Sequence, residues 1–493
     1  MIIRIVKLLI LIISILSALT GIRIWLFNES ILPNIALSWI DTIQLGGNIF
    51  NQHLILGFAL LGLVILLAAF GSWQFIRKRD VKVAGKPSWV LKKSILFAIY
   101  TLLGASILSG LFTYSGHVND LILYATVNNV HTYSFYGLAG LGLFYLILLF
   151  VFRKDQIGSD YKTTGSVWAT AAVLLTSLGI SVLGVYSVFK YLERPVTIIS
   201  KNIYRSPIID GRTSGIEWVG ADSLSVIASG GDNFPNEMTQ VKMKSFHNFQ
   251  YIFFLFQWAD PEPSFNRSVI KTDSGWIELK SEFSPFGESV YFEDQLAISF
   301  HKSNSGCAQS CHLGNSIRAG SHYTQGDTAD LWVWKAVSTN PASEGDDGWW
   351  GAKLNDSVGG RHFDNSPGGG YISNLNEEWD EPYFLPGHHA FDNWIWTQSD
   401  KYLPYRASLD NYQIGATLPG MLVSRFTGDR SDLYAKGEWR NGVWTLELSR
   451  RINTGSPFDA VLRNEVTIGL AVFNNSEIKH AYHIISVIFV VED

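Results

Sequence analysis

At 493 residues the chain exceeds one ordinary domain, and 47% hydrophobic against 16% charged residues suits a mixture of membrane and water-exposed parts. A net charge of -5 excludes the basic footprint of a nucleic-acid-binding protein. The 17 Trp, 20 Tyr and 30 Phe fit both bilayer interfaces and a β-rich core, so the order of residues has to separate the two.

Residues 1–195 carry five apolar runs, among them "IVKLLILIISILSALTGIRIWLF", "LILGFALLGLVILLAAFGSW" and "YSFYGLAGLGLFYLILLFVF". Each approaches the ~20 residues that cross a bilayer as a helix, which predicts an N-terminal transmembrane α-helical bundle of about five spans. Arg4 and Lys7 precede the first run, Arg77, Lys78, Arg79, Lys82, Lys86, Lys92 and Lys93 separate the second from the third, and 28–52 and 116–131 contain no Lys or Arg. Basic loops stay cytoplasmic. This predicts a protein integral to the cytoplasmic membrane, with a cytoplasmic N-terminus and 196–493 extracytoplasmic, or periplasmic. A cleaved first run leaves four spans and the same topology.

His53, His117 and His131 fall at the ends of the second, third and fourth runs, and an up-and-down bundle brings those ends to one side. Ionisable residues near bilayer depth mark functional sites, and two imidazoles on facing helices ligate a b-type haem. Interfacial histidines are the plain alternative. The pair stays open between His53 with His131 and His53 with His117. In architecture this region resembles a cytochrome b561 or a formate dehydrogenase γ-type membrane cytochrome. Those proteins need four histidines in two layers, so with one layer the resemblance implies at most one haem b. The segment 116–131 reads as a surface helix roofing a quinone pocket, or as a plain connector.

From residue 196 the texture changes to short β-rich runs broken by Gly, Asn, Asp, Ser and Pro. The runs at 250–258, 443–449, 465–473 and 482–491 read as strands, several apolar on both faces and so central. The stretch 302–440 is rich in Gly and Trp and poor in periodicity. The expectation for 196–493 is an all-β sandwich with a long irregular insertion.

Inside that insertion lies "FHKSNSGCAQSCHLGNS", with Cys307 and Cys311, the only two cysteines. Outside a cytoplasm two such cysteines form a disulfide by default. His312 directly follows the second one, and Cys-x-x-Cys-His is the pattern that attaches a c-type haem, the thiols adding to its vinyl groups and the imidazole binding its iron. Here one residue more separates the cysteines, a variant of that pattern.

The blocks "VKMKSFHNFQYIFFLFQWADPEPS", "EDQLAISF", "GDTADLWVWKAVSTNPASEGDDGWW" and "LPGMLVSRFTGDRSDLYAKGEWRNGVWTLELSRRINTG" together resemble the haem-binding domain of the ethylbenzene dehydrogenase γ-subunit family, in its Cys-x-x-x-Cys-His branch. The resemblance covers about 215 to the C-terminus. It implies a β-sandwich of the DOMON or carbohydrate-binding-module type holding one haem for electron transfer. It implies Cys307 and Cys311 as thioether attachments and His312 as proximal iron ligand, whereas non-covalent members use a Met and a Lys. For the sixth ligand His247 ranks first, a surface histidine being its plain alternative, followed by Met243 and Lys335. Asp346 and Asp347 suggest a Ca²⁺ site, but read more simply as solvated acids of a Gly-rich loop. Trp332, Trp334, Trp349 and Trp350 read as core and haem-pocket packing rather than a sugar platform.

These readings combine into a membrane-anchored b/c-type cytochrome. Electrons pass between the quinone pool, or a membrane partner, and a soluble extracytoplasmic donor or acceptor, through one haem b and one covalent haem c. No catalytic constellation is apparent. The alternatives are a carbohydrate-binding module, with the cysteines as a disulfide, or a haem-based sensor on a membrane anchor.

Overall fold

The computed structural model describes parts of 9–21 and 53–63, then 87–115, 121–151 and 195–493 apart from 214–215, 232, 281–282, 285–286, 289–290, 302–327, 351–360, 387–395, 398–401 and a few single positions. The chain divides into two compact units that part between Arg194 and Pro195.

The N-terminal unit contains α1 (Pro87–Ser115) and α2 (Leu121–Val151), with further helical residues over 12–21 and 59–63. Ile10, Leu60 and Leu103 are buried together, and Ile13, Leu63, Tyr100, Ile107 and Leu138 pack on them. The helices approach closely at Gly137, where an added Cβ would stand 2.9 Å from Leu102.

Among the described residues no helix is long and apolar enough to cross a membrane. That finding overturns the expected transmembrane bundle and the placement as an integral membrane protein. The first half of α2 carries Asn128, Asn129, His131, Thr132 and Ser134, polar side chains that interrupt the apolar run of ~20 residues a crossing needs.

The C-terminal unit is β-rich. Its largest sheet comprises β1 (Val196–Asn202), β2 (Asp222–Ser229), β3 (Met238–His247), β4 (Tyr251–Ala259), β5 (Gln295–His301), β6 (Ala329–Lys335), β7 (Asp346–Trp350), β8 (Arg361–Phe363), β9 (Tyr434–Arg440), β10 (Val443–Arg451), β11 (Val466–Phe473), β12 (Ala481–Tyr482) and β13 (Val487–Val491). They hydrogen-bond in the order β8-β7-β6-β5-β11-β12-β2-β3-β4-β10-β9, with β13 joining β1 and β11, and β1 reaching β3.

This one ladder folds back on itself. Phe254 of β4 lies 5.9 Å from Phe300 of β5, 5.9 Å from Trp332 of β6 and 5.1 Å from Phe489 of β13, although none of these strands neighbours β4 in the ladder. Trp258, Trp334 and Trp444 continue the same contact layer. The two inner faces enclose a single hydrophobic core, as in a sandwich. Strand β4, "YIFFLFQWA", is buried on both faces: Ile252, Phe254, Phe256 and Trp258 enter this core, whereas Phe253 and Leu255 pack on the other side with Trp218 and Phe246.

Much of 302–440 is not an insertion. Strands β6, β7, β8 and β9 all belong to the main sheet. All seven residues of β6, "ADLWVWK", are buried, so the alternation that marks a half-exposed strand is missing.

Phe254 is fully buried and touches both halves of the sandwich. Phe254→Ala is expected to cost about 3–5 kcal/mol, read as a lower urea midpoint with an unchanged slope.

Candidate functional site

In the helical unit two of the three singled-out histidines come together. The rings of His53 and His131 stand 6.4 Å apart, centroid to centroid, at 87°. Each is tethered through Nδ1: His53 to the Ser17 carbonyl at 3.1 Å, with Thr20 Oγ1 at 3.0 Å, and His131 to the Ser106 carbonyl at 2.8 Å. A carbonyl only accepts, so Nδ1 carries a proton in both rings, and the neutral form of each ring has its lone pair on Nε2. That is the tautomer a metal needs.

Two glycines make the arrangement possible. A Cβ on Gly21 would stand 3.2 Å from Cε1 of His53, and one on Gly110 would stand 2.9 Å from Cε1 of His131. His117 lies outside the described residues.

In the β unit, Cys307, Cys311 and His312 also lie outside the described residues. The strands on either side of 302–327 are β5, ending at His301, and β6, starting at Ala329, and these two residues are paired in register.

The three candidates for a sixth ligand differ in what holds them. Met243 is fully buried in the core. Lys335 Nζ is 2.9 Å from Asp346 Oδ2 and bonds the Tyr371 hydroxyl, so it already has an anionic partner. His247 closes β3 and is 6% exposed, its Nδ1 buried without a hydrogen-bond partner. It is therefore not a surface histidine, and burial pushes its imidazolium pKa down.

Two buried histidines escape sequence reasoning. His301 is the last residue of β5, its Nε2 2.9 Å from Ser299 Oγ. His483 meets the Ile485 carbonyl through Nδ1 at 2.7 Å, while its Nε2 is buried without a partner. Burial pushes both down to about 4, in His301 with help from His483, so both are neutral imidazoles. A lone His in a strand carries no signal of this pairing, which only the return of the chain at 481–483 creates.

The densest electrostatics lie on β6, β7 and β10. Asp346 is wholly buried and meets Arg430 Nε at 2.6 Å, Lys335 Nζ at 2.9 Å, Arg361 Nη2 at 3.3 Å and the Tyr371 hydroxyl at 2.8 Å. Burial opposes its ionisation, but Lys335, Arg430 and Arg361 outweigh it and hold the carboxyl below the usual range.

Asp347 points to a second cluster, where Arg450 Nη1 reaches the Oδ2 atoms of Asp330 at 2.8 Å, Asp459 at 3.3 Å and Asp347 at 3.5 Å. The guanidinium of Arg450 also lies 4.5 Å from the Trp332 ring centre and donates to the Ala460 carbonyl at 2.9 Å. The reading of Asp346 and Asp347 as solvated loop acids is thus corrected: both are strand residues of the core. One arginine does not neutralise several acids. Burial, partly offset by Arg450, raises Asp330 to about 6, and burial with Asp459 raises Asp364 to about 7.

The fold and these residues define a β-sandwich protein with ion clusters buried in its core, preceded in the chain by a helical unit with paired imidazoles. Residues 216–484 match the ethylbenzene dehydrogenase family, and the chain belongs to it. That family places it among haem-type electron-transfer subunits. No curated protein matches the chain. Among solved structures, two of a carbohydrate binding module family 9 from Caldicellulosiruptor kristjanssonii are similar. The one in complex with glucose shares 10% identity over 60% of this chain and 97% of that one, with a TM-score of 0.25. The one in complex with cellotriose shares 9% over 60% and 95%, with a TM-score of 0.24. At those scores the likeness carries no functional argument.

Asp346→Asn strands Lys335 and Arg430 without their counter-charge and is expected to cost about 3–5 kcal/mol in chemical unfolding. Asp330 and Asp364 bind their protons more tightly folded than unfolded. Their contribution is therefore complete below the unfolded value of 3.8 and is lost as pH rises through about 6 and about 7. In metal-free buffer stability should decline across that window, and Asp364→Asn should flatten the decline in urea titrations at successive pH values.

Proposed function

We propose that the chain is an electron-transfer cytochrome in which His53 and His131 hold a haem b, while Cys307 and Cys311 carry a haem c with His312 on its iron. The observation that carries this reading is the spacing of the two imidazoles, 6.4 Å between ring centres with both Nδ1 atoms tied to helix carbonyls. Imidazoles at that separation would have room for one metal ion between them, with metal–nitrogen bonds of about 2 Å.

A haem held this way supplies one-electron exchange. The chain's own residues do the holding. The carbonyls of Ser17 and Ser106 orient the rings and raise the basicity of Nε2, and Gly21 and Gly110 leave room for them against their helices. Two protein ligands leave no open coordination position, which favours passing electrons over binding a substrate at the iron. For the β unit the support is the family membership and the Cys-x-x-x-Cys-His sequence.

The electron donor and acceptor in this reading are a quinone or redox protein on one side and a soluble redox partner on the other, with either direction allowed by the residues. A sugar-binding reading draws less support. Trp332 and Trp334 are sealed in the core, and Trp349 is stacked between His362 at 4.1 Å and Phe458 at 4.5 Å.

The test is haem staining on denaturing gels beside pyridine haemochrome spectra, after expression in a host competent for haem c maturation. His53→Ala or His131→Ala should remove the non-covalent haem and spare the covalent one, whereas His117→Ala should retain both. Cys307→Ala or Cys311→Ala should abolish the gel-stable haem. Non-covalent haem that survives loss of His53 and His131 sinks the b site, and a wild-type chain without covalent haem sinks the c site.

A further inference from the structure

The carboxylates around Arg450 are satisfied on one side only. Arg450 binds the Oδ2 atoms of Asp330, Asp347 and Asp459. The Oδ1 atoms of Asp330 and Asp459 are buried with no hydrogen-bond partner, as are both carboxylate oxygens of Asp364. Asp364 is 5% exposed and adjoins Asp459 and Asp330. It follows β8, whereas Asp330 opens β6, Asp347 lies in β7 and Asp459 comes from the connection between β10 and β11. Four chain segments therefore bring four acids together, three of them on Arg450.

The charge count is decisive. Four carboxylates against one guanidinium leave an excess of three negative charges if all are ionised. Buried charges persist only when paired or when they coordinate a metal. Four oxygens from three side chains, left without a donor while the acids are ionised, are what a hard cation takes. The spacing agrees. One ligand oxygen from each of Asp330, Asp347 and Asp459 lies within 4.8 Å of the others, and calcium–oxygen bonds of about 2.3–2.6 Å put two shared ligands at most about 5 Å apart.

We propose that Asp330, Asp347, Asp364 and Asp459 bind one hard divalent cation, calcium by the chemistry of its all-carboxylate donors. The cation joins β6, β7, the segment after β8 and the β10–β11 connection, which Arg450 alone links through three of the four acids. The consequence is a brace on β6, the strand that directly follows 302–327. Thiolate and imidazole metals are disfavoured because the described cluster offers neither donor.

The test uses the full chain stripped with a chelator, then titrated with calcium and, separately, magnesium, followed by thermal unfolding and by terbium luminescence sensitised by tryptophan. The expected result is one calcium per chain by elemental analysis and a raised Tm. In Asp364→Asn the calcium affinity should fall by at least about tenfold, with the far-ultraviolet spectrum unchanged. The Asp364 carboxylate oxygens have no hydrogen-bond partner in the described structure, so the amide is a mild replacement. Should that variant not fold, Asp459→Asn is read in the same way. The proposal is overturned if the stripped wild type binds no calcium, or if either folded variant binds it as tightly as wild type. It is equally overturned if Asp364→Asn stabilises the stripped protein while calcium adds nothing to wild type, because protons would then neutralise the cluster.

Discussion

Arg450 is the residue on which the β unit most depends electrostatically. It sits fully buried on β10, over the face of Trp332, with three carboxylates on one of its nitrogens. An arginine suits this place because its charge survives burial and its planar fork serves several acceptors at once. Its partners come from β6, β7 and the segment before β11, so the ion cluster bolts together strands that the ladder alone leaves far apart. Without that charge, the acids of the core would be neutralised or would force the two halves of the sandwich open.

The neighbouring Asp346 cluster follows the opposite balance. There three cations converge on one carboxylate, whereas at Arg450 three carboxylates converge on one cation. Adjacent residues of β7, Asp346 and Asp347, point to opposite sides of the strand, as strand geometry requires. One strand thereby serves two ion clusters of opposite excess. The aromatic layer of Phe254, Phe300 and Trp332 lies between the same strands, and its exclusion of water is what makes each unbalanced charge matter.

In the helical unit the constraint is steric rather than electrostatic. Gly21 and Gly110 lie where any side chain would strike a histidine ring, and the rings find their direction from carbonyls on the helices that carry those glycines. Such pairing is invisible to hydropathy. The apolar runs overstate what the described residues support as membrane crossings, since a buried helix in a bundle and a lipid-facing helix share the same composition.

Read from sequence, β4, β10, β11 and β13 were legible because apolar runs bounded by polar residues leave few alternatives to a buried strand. So was the adjacency of Cys307, Cys311 and His312, which is a property of the chain itself. Strands β6 to β8 were not legible, because full burial erases alternation and Trp- and Gly-rich stretches resemble loops. Nor was the fate of Asp346, Asp347, Asp364 and Asp459. Whether an acid is solvated or caged depends on which strand comes to lie beside it, and that is decided only when the ladder folds back on itself. For the same reason the approach of His131 to His53, and the electrostatic influence of His483 on His301, belong to the tertiary structure: residues distant in the chain carry no mark of each other until packing brings them within reach.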